Sequence, residues 1–208
     1  MNINTKKTKE MVMGSCSMEM NTLMISSIAV ERVSMYKLLG IVIGSNLKWE
    51  DCVSAITSKA ARIIWFLKKL KRAGASVEDL AYYYQAVIRP VMEYASPVWH
   101  SNFTKGQTKK LEDVQRRAVQ IINGNIPYDE VCRLLNILPL ADRRLELCRT
   151  LFQQIMRDDT HVLHYLLPPK CDTQLTGRLR SSRTYPTVYA RTSHFKNSFI
   201  LHGLNKFQ

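Results

Sequence analysis

The stretch LKWEDCVSAITSKAARIIWFLKKLKRAG (Leu47–Gly74) decides how the chain is organised. Val53, Ile56, Ala60, Ile63, Ile64, Leu67 and Leu70 recur at three- and four-residue steps, which places them on one face of an α-helix. The stripe predicts a helix of about twenty residues. Asn46 or Trp49 lies near its start, and Gly74 stops it. Glu50 and Asp51 sit where free N–H groups favour negative charge. Lys59, Arg62, Lys68, Lys69, Lys71 and Arg72 follow, and most of them fall in the last two turns, where cations suit the helix dipole.

Before this helix the period is different. Residues 11–43 hold short runs rich in methionine, isoleucine and valine, and read as two or three strands that end in YKLLGIVIG (Tyr36–Gly44). After it, Ser76 and Asp79 form a capping pair that opens a second helix, which Pro90 bends or ends. A third helix is expected from about Lys109 to Asn123, with Leu111, Val114, Ala118, Ile121 and Ile122 inward. A short one lies between Pro127 and Pro139. A longer one from about Leu140 to Met156 buries Leu145, Cys148, Leu151, Phe152 and Ile155. From Thr160 onward seven Lys/Arg face one acid, Asp172, and periodicity is lost. That segment reads as an extended basic arm with aromatics between its charges.

The fold class expected is α+β and mostly helical: a small N-terminal β-hairpin element, a helical bundle and an extended basic tail. The corresponding divisions are residues 1–45, 46–157 and 158–208. At 208 residues the chain can bury one good core.

The formal net charge of +13 favours a polyanionic partner by Coulomb attraction. The apolar stretches are broken by charge too early to span a membrane. The five cysteines, Cys16, Cys52, Cys132, Cys148 and Cys171, are scattered singly and odd in number, without zinc-ligand spacing. With no signal-like opening, a reduced intracellular setting fits, nuclear or cytoplasmic.

Catalytic chemistry finds little support. A two-metal site needs carboxylates that hold ions roughly 4 Å apart. The one adjacent Asp pair, Asp158–Asp159, lies at the polar end of an amphipathic helix and not on a turn between strands. The histidines make no compact ligand set, and no phosphate-binding glycine loop or nucleophile elbow is present. No cofactor is expected.

The positive groups carry the functional signal. KKLKRAG (Lys68–Gly74) puts four cations at the end of a helix whose other face is apolar, an arrangement suited to phosphate backbones. Gln115–Arg117 and Ala141–Arg144 are candidates for the same surface. Trp49, Trp65, Trp99, Tyr83, Tyr84 and Tyr94 sit among aliphatic residues at helical spacing and are expected in the core. Tyr185, Tyr189 and Phe195, in the basic tail, are the aromatics open to stacking on single strands.

Taken together, several motifs resemble the carboxy-terminal part of reverse transcriptases from non-LTR (LINE-type, jockey/CR1-like) retrotransposons. NTKKTKEM (Asn4–Met11) is similar to the stretch that closes the palm. YKLLGIVI (Tyr36–Ile43) is similar to the family's YKYLGV primer-grip hairpin. LKWEDCVSAITSKAARIIWFLKKLKRAG, YYYQAVIRPVMEYASPVWH (Tyr82–His100) and QTKKLEDVQRRAVQII (Gln107–Ile122) resemble thumb segments. LRSSRTY…ARTSHFKNSFI resembles the closing tail. Two departures stand out: Cys52–Val53 replaces the family's customary His-Val, and Leu38 replaces an aromatic.

The resemblance implies a non-catalytic fragment of an RNA-directed DNA polymerase. Its thumb-like region would contact the backbone of an RNA/DNA or DNA duplex, and the catalytic core would lie upstream. It implies that Lys37 and Gly40 sit in the hairpin that supports the primer end. Lys68, Lys69, Lys71 and Arg72, with Arg116 and Arg117, are the candidate phosphate contacts. An independent basic helical nucleic-acid-binding or adaptor domain remains the alternative.

Overall fold

The computed structural model describes residues 3–14, 21–171 and 183–208. The single cysteine Cys16 and the tail charges Asp172, Arg178 and Arg180 lie outside these residues. The chain is α+β and mostly helical. It divides into two compact units, residues 1–58 and 59–208.

Among the described residues the first unit carries three small two-stranded pairings. β1 (Lys9–Glu10) runs parallel to β4 (Glu31–Arg32), and ion pairs Lys9–Glu31 and Glu10–Arg32 join them. β2 (Met24–Ile25) and β3 (Ile28–Ala29) form a hairpin. β5 (Met35–Leu38) and β6 (Ile41–Gly44) form the longer one, with Tyr36 opposite Ile43 and Lys37 opposite Val42. The β5–β6 link is Leu39–Gly40, with φ of 47° and 87°. Positive φ at both central residues gives the turn whose twist matches the strands. Gly40 takes this conformation freely, whereas Leu39 has a Cβ that opposes it. Val30, Trp49, Cys52 and Val53 are the buried apolar residues of this unit among those described.

Helix α1 (Glu50–Arg72) starts and stops where its acids, cations and Gly74 place it. Its first residues belong to the first unit and the rest to the second. Ala60, Ile64 and Leu67 are buried, Ile56 and Ile63 half-buried, and Leu70 exposed.

In the second unit α2 (Val77–Tyr83) opens with the Ser76 hydroxyl accepting from the Asp79 N–H at 3.1 Å. It passes through one wide turn, Tyr84–Ile88, into α3 (Arg89–Glu93). The Arg89 N–H donates to the carbonyl of Tyr84, five residues back. Pro90 accounts for this. Its ring has no N–H to donate and crowds the carbonyl four residues behind, and widening the preceding turn relieves the clash without breaking the helix.

α4 (Ser96–Trp99) leads to α5 (Lys105–Ile122). α5 begins earlier than the apolar stripe suggests because Thr104 and Gln107 form a reciprocal capping box. α6 (Tyr128–Leu134) and α7 (Leu140–Arg157) follow. The Glu112 carboxylate of α5 accepts from the N–H groups of Leu140 (3.3 Å) and Ala141 (2.7 Å), and so caps α7. Between α2 and α5, the Tyr84 hydroxyl donates to Gln115 Oε1 at 2.5 Å. Gln115 Nε2 donates to the Tyr128 hydroxyl (2.9 Å) and to the Leu138 carbonyl (3.1 Å). This fully bonded buried amide fixes three elements together.

The end of the chain differs from an extended arm. α8 (Ser193–Lys196) and α9 (Phe199–Lys206) are helical, and Phe152 of α7 packs with Tyr185 and Leu204. Met156, Leu167, Phe199, Ile200 and Phe207 close around this cluster. Gly203 makes the approach possible, since a methyl there would lie 2.2 Å from the Phe152 ring. The apolar residues of FILHGLNKF outweigh the surrounding charge. The described residues form no helix long and apolar enough to cross a membrane.

Candidate nucleic-acid interface

From Cys52 to Ala75 the chain has no acid and six cations. The helix sorts them by direction. Arg62, Lys69 and Arg72 follow one another at three- and seven-residue steps opposite the buried stripe, and all are exposed. No ion pair engages them among the described residues. At 1.5 Å per residue they span about 15 Å. A duplex presents roughly nine phosphates over that length, counted on both strands.

Lys68 is half-buried at the edge of the stripe. Lys71 lies four residues beyond Leu67, in line with the buried stripe, but is itself exposed. Its ammonium donates to the carbonyls of Ile121 (2.5 Å) and Ile122 (3.5 Å), at the C-terminal end of α5. The four cations of KKLKRAG therefore do not form one surface. Lys69 and Arg72 face water, while Lys71 neutralises a helix end.

On α5 both Arg116 and Arg117 are exposed. The Arg116 guanidinium lies 4.5 Å from the Tyr128 ring centroid, which holds it to the surface. Burial pushes the Tyr128 phenol up to about 12, so the ring stays neutral. Lys71 joins the C-terminal ends of α1 and α5, so Arg116 and Arg117 lie one to two turns from that junction.

Ala141–Arg144 adds nothing to this surface. Arg143 makes a two-pronged ion pair with Glu93, at 2.6 and 3.2 Å. Arg144 is fully buried. Its guanidinium carbon lies 5.7 Å from the Trp99 ring centroid, and its three nitrogens find no hydrogen-bond partner among the described residues. Burial pulls its pKa below the ordinary arginine value, against the attraction of Glu112 and Glu93. Ser96 Oγ, His100 Nδ1, Tyr185 Oη and His202 Nε2 are other buried polar atoms of the second unit without partners among the described residues. His100 is pulled down to about 4 by burial first and by the Arg144 charge second.

Lys37 and Gly40 lie in the β5–β6 hairpin of the first unit. Lys37 is an exposed strand residue opposite Val42, and Gly40 is an exposed turn residue.

The Asp pair is tied up locally. Asp158 accepts from the Thr160 N–H (2.9 Å) and hydroxyl (2.6 Å), while Asp159 meets His164 at 3.3 Å and Lys170 at 3.7 Å. Among the described residues no group of three or more His, Cys, Asp or Glu is gathered where a metal ion could be held. Cys52, Cys132, Cys148 and Cys171 are free thiols. Burial pushes Cys148 up to about 12 and raises Cys52 and Cys132 as well, so these three stay protonated.

The aromatic expectations divide. Trp49, Trp99 and Tyr84 are core residues, whereas Trp65 and Tyr94 are exposed. In the tail Tyr185 is buried, while Tyr189 and Phe195 remain open. The exposed Trp65 escapes a reading by spacing because it follows Ile64 directly. Its position three residues after Arg62 and four before Lys69 is the signal that it belongs to the opposite face. No family model, curated protein or solved structure matches this chain.

Proposed function

We propose that the second unit is a thumb-like surface of a non-catalytic fragment of an RNA-directed DNA polymerase, and that it holds nucleic-acid backbone. The reading rests on the motifs that resemble non-LTR reverse transcriptases. The observation that carries it is the acid-free run of α1, whose outward face presents Arg62, Lys69 and Arg72 to solvent. Cations in water on a rigid helix attract phosphates without specifying bases, and each contact releases condensed counterions. The partner is an RNA/DNA or DNA duplex, bound largely without sequence preference.

The test is a titration of the chain with labelled duplex over a range of salt. Three phosphate contacts predict a log–log slope of about −2.7 from this face. The double substitution Lys69→Glu/Arg72→Glu is expected to lower affinity roughly a hundredfold at low salt and to flatten the slope by about two. Unchanged affinity would remove the proposal.

A second reading, an independent basic helical binding or adaptor domain, is favoured by one observation. The C-terminal helix folds back to complete a core with Phe152, so residues 59–208 form a compact unit. The genomic sequence upstream of Met1 separates the two readings. An open frame with a paired-Asp turn between apolar strands supports the polymerase origin, and its lack supports the independent domain.

A further inference from the structure

We propose that the outward face of α1 is a stacking platform for unpaired nucleotides. The proposal rests on the reading of this face as a nucleic-acid surface and adds to duplex backbone a second ligand, single-stranded segments. Trp65 is 53% exposed and Phe66 54%, although Trp49 and Trp99 are 9% and 0% exposed. A folded chain that buries two indoles and leaves the third half in water has an uncommitted aromatic surface there. The two rings meet edge to face, with centroids 5.0 Å apart and planes at 85°.

Their neighbours decide what such a surface suits. At helical spacing Trp65 is flanked by Arg62 and Lys69, and Phe66 by Lys59, Arg62 and Lys69. Protein interfaces surround their central aromatics with apolar side chains and deplete lysine. Here each ring is bordered by cations on a helix without acids beyond Asp51, so the complementary partner is both aromatic and anionic. A single-stranded nucleic acid is both. Its bases stack on any aromatic face, and its phosphates fall beside the cations. A duplex satisfies only the charges, because its bases are already stacked on one another.

Lys69 Nζ lies 4.9 Å from the Trp65 centroid. That places an ammonium at the ring, where a phosphate flanking a stacked base would find it.

The full chain can report this through its own fluorescence, because Trp65 is the one exposed tryptophan of three. Titration with oligothymidylate is expected to quench the exposed emission, whereas a hairpin duplex of equal charge leaves it nearly unchanged. Trp65→Ala should weaken oligothymidylate binding roughly tenfold or more, with less than about a twofold change for the hairpin. Trp65→Phe, which keeps an aromatic ring, should retain most of the single-strand affinity.

Equal loss on both polymers, or no loss on either, overturns the platform. Hairpin binding without oligothymidylate binding also overturns it but leaves the backbone reading standing; binding to neither removes both. Concentration-dependent self-association that Trp65→Ala abolishes, with no quenching by oligothymidylate, would assign the face to a second copy and overturn the proposal.

Discussion

The outward face of α1 and the buried polar cluster on α7 use the same residue type in opposite ways. Arg62 and Arg72 stand in water with no ion pair among the described residues, and so keep their Coulomb reach toward an incoming polyanion. Arg144 is fully buried beside Trp99, where no polyanion can approach it, and its nitrogens lack partners among the described residues. A cation's role in this chain is therefore set by the side of the helix on which it falls. Adjacent residues show it most clearly, since Arg143 pairs with Glu93 at the rim while Arg144 points into the core.

Replacing the buried charge should break the contrast most strongly. A buried ion without hydrogen bonds costs several kcal/mol, and apolar residues of similar volume are often better tolerated. Glu112 and Glu93 offset part of that cost. Arg144→Met is expected to raise stability by about 2 kcal/mol, seen as a higher midpoint in denaturant, with nucleic-acid affinity unchanged. A drop in the midpoint would mean that the guanidinium is held by a partner in solution, and the cluster would then be a binding site instead of a defect.

The same cluster makes stability sensitive to acid. His100 is held at about 4, against an ordinary value of 6.5, by burial and then by Arg144; His202 is lowered by burial and then by Lys206. The unfolded chain binds these protons first. Their contribution is therefore complete above pH 6.5 and is lost as pH falls from there toward 4. For His100 the loss approaches about 2 kcal/mol after allowance for its partial contact with water. Arg144→Met should reduce this dependence by removing the repelling charge. A midpoint that does not move between pH 7 and pH 4.5 would show that His100 is solvated in the fold.

The contrast also marks how far the sequence could be read. Apolar periodicity located α1, α5 and α7 to within a few residues, because stripes such as Ala60, Ile64 and Leu67 are fixed by burial alone. YKLLGIVIG was legible as strand, although its turn rests on Leu39, a residue that no turn rule favours. Charge misled where packing dominated. The basic tail hid an apolar helix, and Arg144 took the core position that the stripe assigned to Leu145. Of the candidate site, the clustering of cations was legible but not their directions. Lys68, Lys69, Lys71 and Arg72 lie within five successive residues, and a helix turns enough over that length to send them three ways.

Lys71 stands between the two regions and provides the smallest but cleanest discrimination. It shares a helix with the outward cations, yet its ammonium is spent on the carbonyls of Ile121 and Ile122. Those carbonyls end α5 and have no intrahelical partners, and the lysine answers both their hydrogen-bonding need and the dipole. Lys71→Met keeps a side chain of similar length and removes the charge and the donors. The expected result is a loss of about 1 kcal/mol in stability, with the salt slope of duplex binding changed by less than one phosphate. Lys69→Met should do the reverse, leaving the denaturation midpoint in place and reducing the slope by about one. If both substitutions flatten the slope equally and neither moves the midpoint, the division of α1 into a solvent face and a structural face is wrong, and the four cations act as one cluster.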